Sequence, residues 1–392
     1  MSRSAPHAQP GLAQVLGALS HVLDLAAGRA PGHALRTCWI GIWLGRALGL
    51  RGEELYELYY TLLLGDAGRG RADAAQASAP GEAGMLARLA GLWGTRRRGE
   101  REARERARVR AARGAEVARR LGFGRAVAQG IGALDERWSG RGRPERRSGR
   151  SIPRAAQLAL LAREIVLAHG EGERLAAEEL VRSRRGTWFD PELVDVFDVV
   201  TLNPEMWNGL REAELQERVR ALEPNAFVVS LTDERLDRLA ATFGGVLDDA
   251  GPFGPGRAER VAALSVAIGR ELGLASDRLR WLRRSAQLGD AGELAGGDAE
   301  LVERLDPFRE LARAAGQGFG QGTEGGPVAL ELRLVDVAAA FDARTGAHPA
   351  GEPPDRGAAL AELEAQRGTR FDANALDALG RVVEATGRAR AA

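Results

Sequence analysis

The sequence predicts an all-α protein built from two related helical units, on three observations. From Gly11 onward apolar residues recur at helical spacing, and no stretch of comparable length alternates with period two. Glycine and proline fall between the periodic runs, where helices would end. The segment His33 to Gly68 recurs at Arg257 to Gly292 with a constant offset of 224, and 14 of the 36 aligned pairs are identical without a gap. The matched pairs include Arg46 with Arg270, Gly49 with Gly273, Leu58 with Leu282, and a closing Leu-Gly-Asp-Ala-Gly at Leu64 to Gly68 and at Leu288 to Gly292. A second echo, Arg-Gly-Thr-Trp-Phe-Asp at Arg185 to Asp190 and Arg-Gly-Thr-Arg-Phe-Asp at Arg367 to Asp372, closes each unit.

In chain order, residues 1–10 are polar and proline-containing, which predicts a disordered start. Leu12, Val15, Leu16, Leu19, Val22 and Leu23 then define an amphipathic helix that Pro31 and Gly32 break. A second helix is expected from about His33 to Leu48, with Gly49 as its stop signal. Glu53 and Glu54 open a third, whose Leu55, Leu58, Tyr59 and Leu62 face inward. After Gly68 periodicity is weak apart from Met85 to Trp93. Arg96 to Arg113 is dense in arginine and leads into a helix over Gly114 to Leu121. Glu100, Glu102 and Glu105 interleave with those arginines at helical spacing and no aromatic stacks among them, so the run reads as a solvated, ion-paired face and nucleic acid is not an expected partner.

Trp138 to Arg150 reads as a Gly/Arg loop, Ala155 to Ala168 and Glu173 to Val181 as helices, and Trp188 to Pro191 as a capping turn. Glu214 to Leu222 leads to a boundary at Pro224. Phe227 to Leu231 comes nearest to a strand. The plan then restarts with a helix from about Asp233 to Leu247 and a break at Gly251 to Gly256. The expected units are residues 11–224, carrying an Arg-rich insertion at about 69–113, and residues 225–392.

At 392 residues the chain is long enough for two domains with their own cores, and its 44% hydrophobic content is that of a globular protein. A net charge of +1 supplies no global field to attract nucleic acid or an anionic membrane. All 55 basic residues are arginine, which removes Schiff-base and P-loop lysine chemistry. A single cysteine, Cys38, excludes disulfides and thiolate zinc sites. No apolar run approaches the roughly 20 residues of a membrane helix, and no signal sequence opens the chain, so a cytoplasmic location is expected.

The ordered landmarks resemble the HD superfamily of metal-dependent phosphohydrolases, in particular its HD-GYP type. A Gly-His helix start precedes a Gly-x-x-Leu-Gly-Leu turn and a Leu-Leu-x-Asp-Ala-Gly helix end; Asp-Glu-Arg-Trp-Ser-Gly-Arg-Gly-Arg-Pro runs from Asp135 to Pro144; and Phe-Asp-Pro-Glu-Leu-Val runs from Phe189 to Val194. In the second unit, Leu334 to Val337 and Phe341 to Ala343 carry the likeness. It implies an all-α fold and a cyclic di-GMP phosphodiesterase using two or three divalent ions, which lower the pKa of a bound water and clamp phosphodiester oxygens.

Carried over residue by residue, the resemblance assigns His33 and Asp66 as metal ligands, with Asp135 where a His-His pair would end. Gly65 stands at the histidine of the His-Asp pair, and Arg163 at a distal aspartate. In the second unit Arg257 holds the first histidine position, and Asp290 and Asp336 remain. Two carboxylates without imidazole do not make a dinuclear site, and Arg163 would oppose a cation.

The expectation is therefore a catalytically inactive signalling, scaffold or ligand-binding module without a cofactor, bound to an unidentified protein partner or a nucleotide. The alternative is a residual cyclic-dinucleotide phosphodiesterase using His33, Asp66, Asp135 and Glu136 with Mg, Mn or Fe. A third reading has Arg141, Arg143 and Arg163, with Arg146 and Arg147, converge on phosphate through guanidinium forks.

Overall fold

The structure, a computed structural model, describes residues 12–70, 93–211, 214–224, 232–251, 254–289, 330–346 and 355–391. The described elements are all helical, as expected, and form two compact units that divide between positions 231 and 232. Residues 1–10, Met85 to Leu92, Phe227 to Leu231 and Asp290, on which expectations were placed, lie outside the described residues.

In the first unit, α1 (Leu12–Ala26) buries Leu12, Val15, Leu16, Leu19, Val22 and Leu23, the periodic set read from the sequence. Gly32 adopts φ 79°, which an L side chain rarely tolerates, and turns the chain into α2 (His33–Ala47). This helix is buried on nearly all sides, from His33 and Ala34 through Leu44 and Gly45. It ends in a Schellman motif: Gly49, at φ 89°, donates to the Arg46 carbonyl at 3.0 Å, and Leu50 donates to the Gly45 carbonyl at 2.9 Å.

The short connection makes α3 (Gly52–Leu63) run antiparallel to α2. The two backbones approach closely because α2 presents glycines: a Cβ on Gly41 would lie 2.5 Å from Leu62 Cδ1, and one on Gly45 2.5 Å from Leu58 Cδ2. The turn after α3 thereby comes to the end of the pair where α2 begins, bringing Asp66 to His33.

The arginine-rich segment forms one long helix, α4 (Trp93–Arg120). Intrahelical pairs occur, such as Arg108 with Glu105 at 3.3 Å and Arg120 with Glu116 at 3.0 Å. The helix is not simply a solvated rod, however. Ala107, Gly114, Val117 and Ala118 form a buried stripe of small residues. Gly68 meets that stripe so tightly that a Cβ on it would lie 2.2 Å from the Arg110 carbonyl oxygen. Helix α5 (Arg125–Gly132) and the loop to Pro153 follow.

Helix α6 (Arg154–Ser183) joins the two stretches read separately, with non-helical angles only at Gly172 and Glu173. Asp190 caps α7 (Pro191–Val200) by accepting from the Glu192 N–H at 3.0 Å, and Pro191 fills the first helical position, as the capping reading required. Two shorter helices, α8 (Pro204–Asn208) and α9 (Leu215–Ala221), complete the unit.

The second unit contains α10 (Asp233–Ala250), α11 (Arg257–Glu271), α12 (Ser276–Gln287), α13 (Leu330–Thr345), α14 (Arg356–Glu364) and α15 (Ala373–Ala391). Its core gathers Val261, Ile268, Leu282, Leu334, Val337, Phe341, Leu363, Phe371 and Leu376. Local devices recur at the offset of 224. Gly256, at φ 80°, precedes α11, and Gly273 and Leu274 repeat the Schellman bonds at 3.0 Å each. Gly186 and Gly368 close matching turns, each donating at 2.9 Å to the carbonyl of the following phenylalanine, Phe189 and Phe371.

Candidate functional site

The end of the α2–α3 pair carries the candidate site of the first unit. A cavity of about 20 Å³ is lined by His33, Thr37, Thr61, Gly65, Asp66, Leu134 and Arg163 among others, enough for about one water molecule. A second, of about 10 Å³, shares Gly65, Leu134 and Arg163 and adds Arg69, Arg110, Asp135 and Pro144. Of the residues singled out from sequence, His33, Asp66, Asp135 and Arg163 therefore come together. Arg141 and Arg143 stand exposed on the loop and line neither cavity.

Each charge is held by its neighbours. Asp66, 7% exposed, accepts from Arg69 Nε at 2.5 Å. Burial alone would raise its pKa, but Arg69, His33, Arg29 and Arg163 outweigh burial and lower it, so the carboxylate is ionised. Asp135 bonds Arg110, and Arg163 Nη2 donates to its other oxygen at 3.1 Å. Those guanidiniums overcome burial and hold Asp135 well below the usual carboxylate range. Glu164 pairs with Arg184 at 2.9 Å and with Arg163 at 3.6 Å.

His33 is 5% exposed and its Nε2 has no hydrogen-bond partner among the described residues. Burial pulls its pKa down to about 4; Asp66 opposes this, while Arg29, Arg163 and Arg69 reinforce it. The imidazole is thus neutral near neutral pH. Glu136, grouped with Asp135 in the sequence reading, instead builds the loop: Oε1 accepts from the Glu145 N–H at 2.6 Å.

Several residues of the site were missed. Asp24 accepts from the Ala34 N–H at 3.0 Å, tying α1 to the start of α2, and burial holds its pKa well above the ordinary value. Asp248, 224 positions later, repeats the bond to Ala258 at 2.9 Å. Extending the internal alignment toward the amino terminus would have found this pair. Arg110 was hidden in a helix read by its charge density, and the small-residue stripe at helical spacing was the signal that this helix packs. Arg29, Thr61 and Arg69 carry no motif; only the fold brings them to His33.

The donor set does not fit a dinuclear metal centre in this unit. Asp135 is occupied by two arginines and Asp66 by a third, and among the described residues no group of three or more His, Cys, Asp or Glu side chains is placed to hold a metal ion. In the second unit Arg257, 2% exposed, fills the first-histidine position with Nη1 3.7 Å from Asp342, an acid that also pairs with Arg260 at 2.7 Å. Asp336 on α13 is half-buried, and burial raises its pKa.

This fold, with a histidine opening one helix beside an aspartate that ends its antiparallel neighbour, is that of an HD-type phosphohydrolase. No family model matches the chain. It is 32% identical over an alignment of 432 positions, gaps included, covering 94% of each protein, to a 3'3'-cGAMP-specific phosphodiesterase 3 of Vibrio cholerae. Over 155 residues, 31% of this chain and 41% of the relative, it is 30% identical to the cyclic di-GMP phosphodiesterase response regulator RpfG of Xanthomonas campestris. The crystal structure of the V. cholerae cyclic GMP-AMP-specific phosphodiesterase V-cGAP3 superposes with a TM-score of 0.75 at 31% identity, covering 96% of this chain and 98% of that one. The chain belongs to the HD superfamily of phosphohydrolases, within its HD-GYP-type phosphodiesterases.

The expectation of a catalytically inactive scaffold or ligand-binding module is corrected by these findings. It equated lost imidazoles with lost chemistry, whereas the relative matched from end to end is a phosphodiesterase. The expectation of no cofactor gains no support either, since membership of this superfamily implies divalent-metal chemistry. Among the described residues no helix is long and apolar enough to cross a membrane.

Proposed function

We propose that this chain is a cyclic-dinucleotide phosphodiesterase, and that a 3'3'-linked purine dinucleotide such as 3'3'-cGAMP is its substrate. The observation that carries this reading is the end-to-end relationship to a 3'3'-cGAMP-specific phosphodiesterase. The geometry supports it through a cavity in the first unit that presents charge suited to a phosphodiester. There the neutral His33 turns an Nε2 without a hydrogen-bond partner among the described residues toward the cavity's polar contents, and Asp66 fixes Arg69. Arg163, anchored on Asp135, places a permanent positive charge at the cavity wall. We read the two units as copies of one plan, in which Asp24 and Asp248, Gly32 and Gly256, and the paired Schellman turns perform the same local tasks. Interaction with the cyclic dinucleotide follows from this reading; a cytoplasmic location is proposed with it.

The test is incubation of the purified chain with 3'3'-cGAMP, cyclic di-GMP and cyclic di-AMP, with Mn²⁺, Fe²⁺ or Mg²⁺ and with EDTA, following the linear dinucleotide by chromatography. Turnover that disappears in His33→Ala and Asp66→Ala supports the reading and places the chemistry in the first unit. No turnover of any of the three under any of these conditions overturns it. Turnover that both variants retain would move the site out of the first unit.

A further inference from the structure

We propose that the cavity between His33, Thr61, Asp66 and Arg163 is an anion site, in which guanidinium groups stand where divalent ions would be held and receive one non-bridging oxygen of a phosphate or phosphate ester. The inference refines the proposed function by assigning the ligand chemistry of this cavity.

Three observations carry it. The first is charge. Among the described residues, Arg29, Arg69, Arg110, Arg163 and Arg184 stand around the cavity region against Asp24, Asp66, Asp135 and Glu164, an excess of one positive charge with His33 neutral. A divalent cation brought into this field is repelled, while an anion is drawn in. Asp66 opposes the anion, but its charge is already matched by Arg69 at 2.5 Å.

The second is unsatisfied polarity. Among the described residues, Thr61, 0% exposed, has an Oγ1 without a hydrogen-bond partner, and His33 Nε2 is likewise unpaired; both residues line the cavity. Arg163 Nε reaches only a long ion pair with Glu164, at 3.6 Å. Buried polar atoms left unpaired cost about 1–3 kcal/mol each, so two around one small cavity mark a place built for a polar occupant. A phosphoryl oxygen would accept from the Thr61 hydroxyl and from Arg163. The unpaired His33 Nε2 adds a polar contact for that oxygen or for a water beside it.

The third is size. About 20 Å³ admits one oxygen-sized group, and the wall formed by Gly65, Leu134 and Arg163 is only partly buried, the side from which the rest of a phosphate or ester would approach.

The experiment is calorimetric titration of the full-length chain with inorganic phosphate in the presence of EDTA. The expected result is saturable binding that weakens by about tenfold in Arg163→Gln, the effect of losing one charge-assisted hydrogen bond. Thr61→Val gives a smaller loss, and it fills the same volume if the arginine variant does not fold. On wild-type protein alone, selenate soaked into crystals grown in EDTA should give an anomalous peak at the mouth of the cavity beside Arg163. Absence of that peak, or phosphate binding unchanged in both variants, overturns the proposal. So does a Mn²⁺ ion seated in the cavity. Competition by 3'3'-cGAMP identifies the phosphodiester as the natural source of the oxyanion, and its absence points to free phosphate. Phosphate binding without hydrolysis of any cyclic dinucleotide would remove the enzymatic reading and keep the anion site; hydrolysis with an empty cavity would do the reverse.

Discussion

His33 should couple the stability of the first unit to pH. Burial holds its pKa at about 4, against an ordinary value of 6.5. Above pH 6.5 the imidazole is neutral in both folded and unfolded chains and contributes no pH dependence. As pH falls from 6.5 toward 4 the unfolded chain takes up a proton that the folded site refuses, so stability is lost across this window. The difference, about 2.5 in pKa, corresponds to about 3 kcal/mol, a large share of the 5–15 kcal/mol typical of a folded domain. The assay is urea unfolding of wild type and His33→Gln from pH 7 to pH 4 in EDTA, with both chains read at each pH. Subtraction removes groups common to both, including His169, whose pKa burial also lowers. Wild type should lose about 3 kcal/mol more than the variant over the window. Parallel curves, or a His33 ring titrating near 6.5 by NMR, would refute the assignment of His33 to a buried, arginine-flanked cavity.

Gly68→Ala would press a methyl group to 2.2 Å from the Arg110 carbonyl and 2.8 Å from the Gly114 nitrogen, both backbone, and should destabilise the first unit by about 2 kcal/mol or more in thermal unfolding. Gly99→Ala, in the same helix that Gly68 contacts but with nothing within 4 Å, should be neutral or stabilising by up to about 1 kcal/mol. Asp24→Ala removes the carboxylate that receives the Ala34 N–H and should cost about 1–2 kcal/mol, whereas Asp24→Asn, which keeps an acceptor oxygen, should cost less; equal losses would show that the bond is unimportant. Gly65→His with Arg163→Asp restores two ligand types at positions the family resemblance assigns to metal. A Cβ on Gly65 meets backbone oxygens only at 3.4 Å, so the double variant should fold and retain Mn²⁺ by plasma mass spectrometry to a greater extent than wild type.

The sequence by itself determined the helical class, because periodicity, glycine stops and proline starts are local properties of the chain. The Schellman turns at Gly49 and Gly273 and the Asp190-Pro191 cap follow from residue chemistry within a single turn, so they were legible. His33 and Asp66 were legible because landmarks and an internal repeat placed them. The tertiary structure decided what those residues face. Arg29, Arg69, Arg110 and Arg163 belong to four separate segments, and only the close packing of α2 on α3, with Gly68 against α4, brings their charges to the neighbourhood of His33, Asp66 and Asp135. Arg141 and Arg143, within the loop that resembles the family motif, are exposed, because the chain turns at Gly140 (φ 75°) and Gly142 between them packs inward, where a side chain would lie 2.3 Å from the Arg137 nitrogen. Charge density along the sequence does not reveal which guanidinium is desolvated. Burial and pairing across segments do, and those are properties of the folded chain.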